Sequence, residues 1–164
     1  MTEPAALRID DLHKSFGNHE VIKGVSMEAM KGDVIAILGA SGSGKSTFLR
    51  CINLLETPNS GDVYLAGEKI RMKKNRHGES VPEDIKQVER MRARLAMVFQ
   101  GFNLWSHMTE MENVLEGPVY VQKTPKAEAR EKARALLDKV GLSDRADYYP
   151  AHLSGGQQQR VAIA

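Results

Sequence analysis

Residues 39–46 read Gly-Ala-Ser-Gly-Ser-Gly-Lys-Ser, which matches G-x-x-x-x-G-K-[ST] at every fixed position. The run before it, Val34-Ile35-Ala36-Ile37-Leu38, is continuously apolar, as in a strand buried on both faces. After it, Phe48, Leu49, Ile52 and Leu55 recur at helical spacing from Lys45 to about Leu55. Strand, glycine loop and helix in that order predict an α/β core and a cradle for a phosphate chain. Phosphates carry strongly hydrated negative charge, so a site must replace that hydration with close donors. Gly39, Gly42 and Gly44 lack Cβ atoms and let backbone N–H groups approach. The following helix adds free N–H groups and the positive end of its dipole. Lys45 should reach the β- and γ-phosphates of a nucleotide, and the Ser46 hydroxyl should ligate Mg²⁺. Thr47 adds a phosphate contact, and Ala40, Ser41 and Ser43 complete the cradle, which points to a nucleotide with Mg²⁺.

A second glycine-rich segment, Leu-Ser-Gly-Gly-Gln-Gln-Gln-Arg, occupies residues 153–160. Ser154 can cap a helix, and Gln157 can reach back to complete a capping box. Capping leaves Gly155 and Gly156 unexplained, since each costs roughly 1 kcal/mol against alanine in a helix. The pair makes sense if another surface, such as a phosphate, must come close to the backbone.

The rest of the chain narrows the class. Net charge is +2 over 164 residues, too weak a bias to argue for nucleic acid. The basic run Lys69, Arg71, Lys73, Lys74, Arg76 and His77 has no interleaved aromatics and reads as a solvated, irregular loop. Cys51 is the lone cysteine, which excludes an internal disulfide and suits a reducing compartment. Met1 to Phe16 hold no apolar run of leader type, and no stretch nears the roughly 18 apolar residues of a membrane span. Membrane association is therefore expected through a partner. The histidines show no metal-ligand spacing.

Leu7, Ile9 and Leu12, then Val25, Met27 and Ala29, predict strands with one wet face. Lys31-Gly32-Asp33 predicts a turn. Val63 with Leu65 predicts a further strand, and Ile85, Val88 and Met91 a short helix. Leu95-Ala96-Met97-Val98-Phe99 is another apolar run, ending at Gln100. A helical region should start near Met108. Thr124-Pro125 should open the next helix, with Ala129, Ala133, Leu136, Leu137 and Val140 buried and Gly141 closing it.

The chain resembles the ATP-binding subunits of bacterial ABC importers, and more narrowly the polar amino acid group of histidine, arginine and octopine permeases. The resemblance rests on Leu12-His13-Lys14-Ser15-Phe16-Gly17, the phosphate loop, Met97-Val98-Phe99-Gln100, the run from Phe102 to Thr109, and the segment at Ser154. It covers essentially the whole chain. It implies a P-loop NTPase fold of the ABC ATPase type, with an antiparallel β subdomain, a RecA-like core and a helical subdomain. Phe16 matches the aromatic that stacks on adenine. Gln100 matches a glutamine that contacts Mg²⁺ or water and senses the membrane partner. Ser154, Gly155, Gly156 and Gln157 match the signature that meets the γ-phosphate held by a second copy, arranged head to tail. The neighbourhood of Trp105 receives a helix of the membrane subunit in that family. The implied partners are that second copy, integral permease subunits and, indirectly, a solute-binding protein, on the cytoplasmic face of the bacterial inner membrane. No nucleic acid partner is implied.

Hydrolysis of ATP also needs a metal-orienting aspartate closing an apolar strand and a group that positions water. In the family these follow the signature as an apolar run ending Asp-Glu, with a D-loop and a switch histidine later. Neither Leu137-Asp138 nor Ile9-Asp10 substitutes for them. Residues 1–164 are therefore expected to be a nucleotide-binding domain truncated after the signature and inactive in hydrolysis by themselves. The competing readings are a cassette serving another solute and a nucleotide-binding module without catalysis.

Overall fold

The computed structural model describes residues 4–164; Met1 to Glu3, the start of the stretch read for a leader, lie outside the described residues. The chain divides into two compact units, the first ending at Leu95 and the second running from Ala96 to Ala164.

In the first unit, β1 (Leu7–Phe16) and β2 (His19–Ala29) form an antiparallel hairpin, joined by β3 (Ser60–Leu65) and β4 (Glu68–Lys69) in the order β2-β1-β3-β4. Ile9 and Leu12 are wholly buried, and Ile22, Val63 and Leu65 join them in one apolar cluster. Helices α1 (Lys45–Ile52) and α2 (Ile85–Arg92) supply Phe48, Cys51, Ile52, Val88 and Met91 to the same cluster. Burying a side chain such as Ile9 or Leu12 contributes about 1.5–3 kcal/mol. Helix α1 ends at Ile52, short of the expected Leu55, and both Leu49, on the helix, and Leu55, beyond it, are exposed at 45% and 48%. The turn after β2 forms as expected: Met30 N donates to Asp33 Oδ2 at 2.8 Å, with Gly32 at φ +93°.

Two expectations fail here. Residues 34–38 form no strand; Val34 and Leu38 are 98% and 90% exposed. A strand needs a neighbour about 4.7–4.9 Å away to pair its N–H and C=O groups, and a parallel neighbour must come from far along the chain. None of the described residues supplies one. Residues 95–99 likewise form no strand, so the parallel sheet of a RecA-like core is not formed among the described residues. The supposed irregular loop over residues 68–82 is ordered instead. After β4 it builds a second hairpin from β5 (Met72–Lys74) and β6 (Ser80–Pro82). Asn75 closes that hairpin, its Oδ1 accepting from His77 N at 2.9 Å and Glu79 N at 3.0 Å, with Gly78 at φ +77°. Asparagine's ability to mimic a backbone turn outweighs the polar, basic composition of the strands.

The second unit is helical: α3 (Glu110–Glu116), a π-helical turn (Gly117–Val121), α4 (Lys126–Lys139) and α5 (Gly155–Ile163). Met111, Leu115, Ala129, Ala133, Leu137, Leu142, Leu153 and Val161 make its core. Thr124 is not the cap of α4; its N–H donates to Pro118 O at 2.9 Å in the turn before the helix. Pro125 takes the cap position with no side-chain bond, and the helix starts one residue later than expected. Leu136 lies at the edge of the buried stripe, 37% exposed. Gly141 closes α4 as expected, at φ +69°: its N–H reaches Asp138 O at 2.9 Å while Leu142 N reaches Leu137 O at 2.8 Å. That pair of bonds is the Schellman pattern and satisfies carbonyls that the helix end leaves free.

Candidate functional site

The phosphate loop leads directly into α1, whose N-cap, Gly44, sits at φ +93° with no side-chain cap. Glycine is required there twice over. A Cβ would force a left-handed backbone strain and would lie 2.8 Å from Val21 Cγ1. Gly39 is constrained by contact alone, since its Cβ would meet Ser43 Oγ at 2.7 Å. The Lys45 ammonium curls into this ring, donating to Gly39 O at 2.8 Å and Ala40 O at 2.7 Å, with Ser43 Oγ at 3.4 Å. Ser41, Gly42 and Ser46 face solvent, and Thr47 is half-buried. A cavity of about 440 Å³ opens beside the loop, walled by Val25, Met27, Ile37, Leu38 and Phe48. An uncapped helix start, open to solvent and beside a lysine, fits a phosphate group. Beneath it, Cys51 is sealed in the core, and burial pushes its thiol up to about 11. Such a thiol is inert.

Phe16 closes β1 and is 48% exposed. No group of three or more His, Cys, Asp or Glu side chains among the described residues could hold a metal ion.

In the second unit, Gln100 is exposed and leads into a tight bend where Phe102 and Asn103 take φ +59° and +55°. Positive φ is uncommon for a bulky side chain such as phenylalanine. Asn113 of α3 staples the next loop, its Oδ1 accepting from Trp105 N at 2.7 Å and its amide donating to Trp105 O at 3.1 Å and Thr109 O at 3.0 Å. Trp105, 55% exposed, stands edge-on to His107. A cavity of about 310 Å³ lies nearby, lined by His107, Met108, Glu112, Tyr120 and Lys126 among others.

The capping box at α5 is formed: Ser154 Oγ accepts from Gln157 N at 3.4 Å, and Gln157 Oε1 accepts from Ser154 N at 2.9 Å. A Cβ on Gly156 would meet nothing within 4 Å, and one on Gly155 would touch only the Phe102 ring at 3.9 Å. The outer face of this glycine pair is open, and the bend after Gln100 lies beside it.

Sequence reasoning passed over Asn113, whose role depends on tertiary contacts, and the capping box Thr109/Glu112 at α3, which the spacing T-x-x-E could have disclosed. It also passed over Glu110. That residue is wholly buried, neither of its oxygens has a hydrogen-bond partner, and burial pushes its carboxyl up from 4.5 to about 7.

The ABC transporter family model matches residues 22–164, and the chain belongs to that family. It is 60% identical over 158 residues to the arginine/ornithine transport ATP-binding protein AotP of Pseudomonas aeruginosa, covering 96% of this chain and 62% of AotP. Against the nopaline permease ATP-binding protein P of Agrobacterium fabrum it is 54% identical, covering 99% and 63%. Against the histidine/lysine/arginine/ornithine transport protein HisP of Escherichia coli it is 56% identical, covering 96% and 62%. The chain thus spans about three fifths of the length of these relatives. Among solved structures it resembles cbiO1 of Clostridium perfringens, part of an ABC transporter complex, with a TM-score of 0.80 and 29% identity over 98% of this chain and 60% of that one. It also resembles a dimeric, ADP- and phosphate-bound cassette, MJ0796, with a TM-score of 0.78 and 32% identity over 96% and 67%. The fold is therefore the mixed α/β architecture of an ABC cassette.

Proposed function

We propose that the full-length protein is the ATP-binding and ATP-hydrolysing subunit of an importer for polar or basic amino acids. The observation that carries the reading is the uncapped start of α1, walled by Gly39 and Gly44 and holding the Lys45 ammonium. On binding ATP, Lys45 exchanges its carbonyl partners for β- and γ-phosphate oxygens, a charge-assisted contact that is the stronger of the two. The N–H groups of Gly44 to Thr47 receive the remaining phosphate charge, and Phe16 offers its ring to adenine. Mg²⁺, which neutralises charge on the phosphates, would be held by the Ser46 hydroxyl together with the phosphates themselves.

The open face of Gly155 and Gly156 suits the γ-phosphate of ATP bound to a second copy, with Ser154 and Gln157 presenting it head to tail. The dimeric state of the similar MJ0796 cassette supports this arrangement. Trp105 and the cavity by His107 suit a helix from a permease subunit, which would hold the protein against the cytoplasmic face of the inner membrane. No helix among the described residues is long and apolar enough to cross a membrane. The cargo class follows from the similarity to AotP, HisP and the nopaline protein, since the nucleotide subunit does not touch cargo.

Reconstitution tests this. The full-length subunit, combined in liposomes with its permease subunits and solute-binding protein, should accumulate labelled arginine, ornithine or histidine only with ATP. Accumulation of a different solute class, with these amino acids excluded, would overturn the cargo assignment.

A further inference from the structure

Lys14 is a cation that the fold buries, at 9% exposure, two positions before the end of β1. Burying an ammonium is costly unless it is paired and hydrogen-bonded. Here it is both: Lys14 Nζ lies 2.6 Å from Glu56 Oε1 and donates to Thr57 O at 2.8 Å. The same ammonium stands 4.7 Å from the centroid of the Phe16 ring, within cation–π range.

The anchor is itself fixed. Glu56 N donates to Arg50 O at 3.0 Å, and Asn59 links the segment to β1 twice, its N–H to His13 O at 2.9 Å and its Oδ1 from Ser15 N at 2.7 Å. Arg92 of α2 clamps the end of α1 through Asn53 O at 3.0 Å and Leu54 O at 2.7 Å. Helix α1 thus has the phosphate loop at its start and the Lys14 anchor just past its end, making one rigid piece of the phosphate cradle and the support of Phe16.

We propose that Lys14 is a positioning residue for the nucleotide base. Its ammonium, pinned by Glu56 and Thr57, holds Phe16 and leaves the exposed part of the ring for adenine. The inference rests on the reading of Phe16 given above.

The test uses the full-length protein, with KM and kcat for ATP and, as a base-free competitor, magnesium tripolyphosphate. Lys14→Met should raise KM for ATP roughly three- to tenfold with kcat unchanged. The inhibition constant of tripolyphosphate should not move, because that ligand never meets Phe16. Lys14→Arg should restore most of the affinity. Phe16→Ala should weaken ATP by at least as much, and adding Lys14→Met to it should cause no further loss. Glu56→Gln keeps the lysine and loosens its anchor, so it gives a smaller effect of the same kind should Lys14→Met fold poorly. Equal losses for ATP and tripolyphosphate would make Lys14 a support of the fold only and overturn the proposal. So would unchanged ATP affinity in both Lys14→Met and Glu56→Gln while Phe16→Ala weakens it. If Phe16→Ala itself leaves ATP affinity unchanged, the adenine reading of Phe16 fails, and the role of Lys14 falls with it.

Discussion

Helices α1 and α5 both begin in glycine-rich segments, and they treat their free N–H groups in opposite ways. At α1 the cap residue is Gly44, no side chain accepts from the first turn, and a cation sits against the loop. At α5, Ser154 and Gln157 satisfy each other's backbone, and the glycines stand inside the first turn with open space before them. The first helix start has no side-chain cap, a form that suits an anion. The second is complete as a helix, and its glycines keep the way clear for something that arrives from outside. Under the function proposed above, ligand capture would depend on α1 and the approach of a second copy on α5.

Changing the cation at α1 should have the largest effect. In the full-length protein Lys45→Ala should lower ATP hydrolysis by at least about a hundredfold, since removing a charge from a transition-state phosphate costs on the order of 3 kcal/mol or more. Steady-state phosphate release measures it, and undiminished turnover would remove the α1 half of the comparison. Gly44→Ala comes next. The added Cβ meets Val21 and must sit at φ +93°. We expect a loss of roughly 2–3 kcal/mol in urea unfolding. A neutral result would mean that the loop reshapes freely and that its geometry is not preformed.

What could be read in the sequence divides along the same line. The loop at Gly39–Ser46, the capping box at Ser154 and the closing Gly141 are local patterns, each set by backbone conformation within a few residues. They formed as expected. The failures involve distance along the chain. Val34–Leu38 has strand composition, but pairing is a property of two segments, and no described partner reaches it. The Lys14 anchor joins residues more than forty positions apart, so no spacing rule could disclose it. The hairpin at Asn75 is hard to read for another reason: its first strand is charged, and only the turn residue marks it. Burial of Glu110 was unreadable, because an acid in a first helical turn is ordinarily a surface residue.

Glu110 sharpens the comparison with a third helix start. Thr109 and Glu112 cap α3 fully, and Glu110 is buried behind them with no partner. Its carboxyl, raised to about 7, holds a proton in the folded state that the unfolded chain releases near 4.5. Stability should therefore fall as pH rises between those values and level off above them. Glu110→Gln removes the titration while keeping the shape. It should match the parent near pH 5 and exceed it at pH 8 by on the order of 2 kcal/mol. Urea unfolding at both pH values checks this, and parallel pH profiles for parent and variant would show that Glu110 is solvated.

The smallest effect should come from the helix start that is already complete. The Ser154 cap is long, at 3.4 Å to Gln157 N, and it lies at the surface. Ser154→Ala should therefore cost only about 0.5–1 kcal/mol of stability. If the glycine pair exists for a partner's phosphate, Ser154→Arg should be equally mild in unfolding yet abolish ATP-dependent dimerisation. Binding of ATP to the monomer should persist, because Lys45 and Ser46 are untouched. Sedimentation with ATP, in a variant that cannot turn it over, separates the two outcomes. Loss of dimers at unchanged stability would assign the glycines to the partner. Normal dimers would leave Ser154 as a helix cap and nothing more, and the contrast between α1 and α5 would then be one of folding alone.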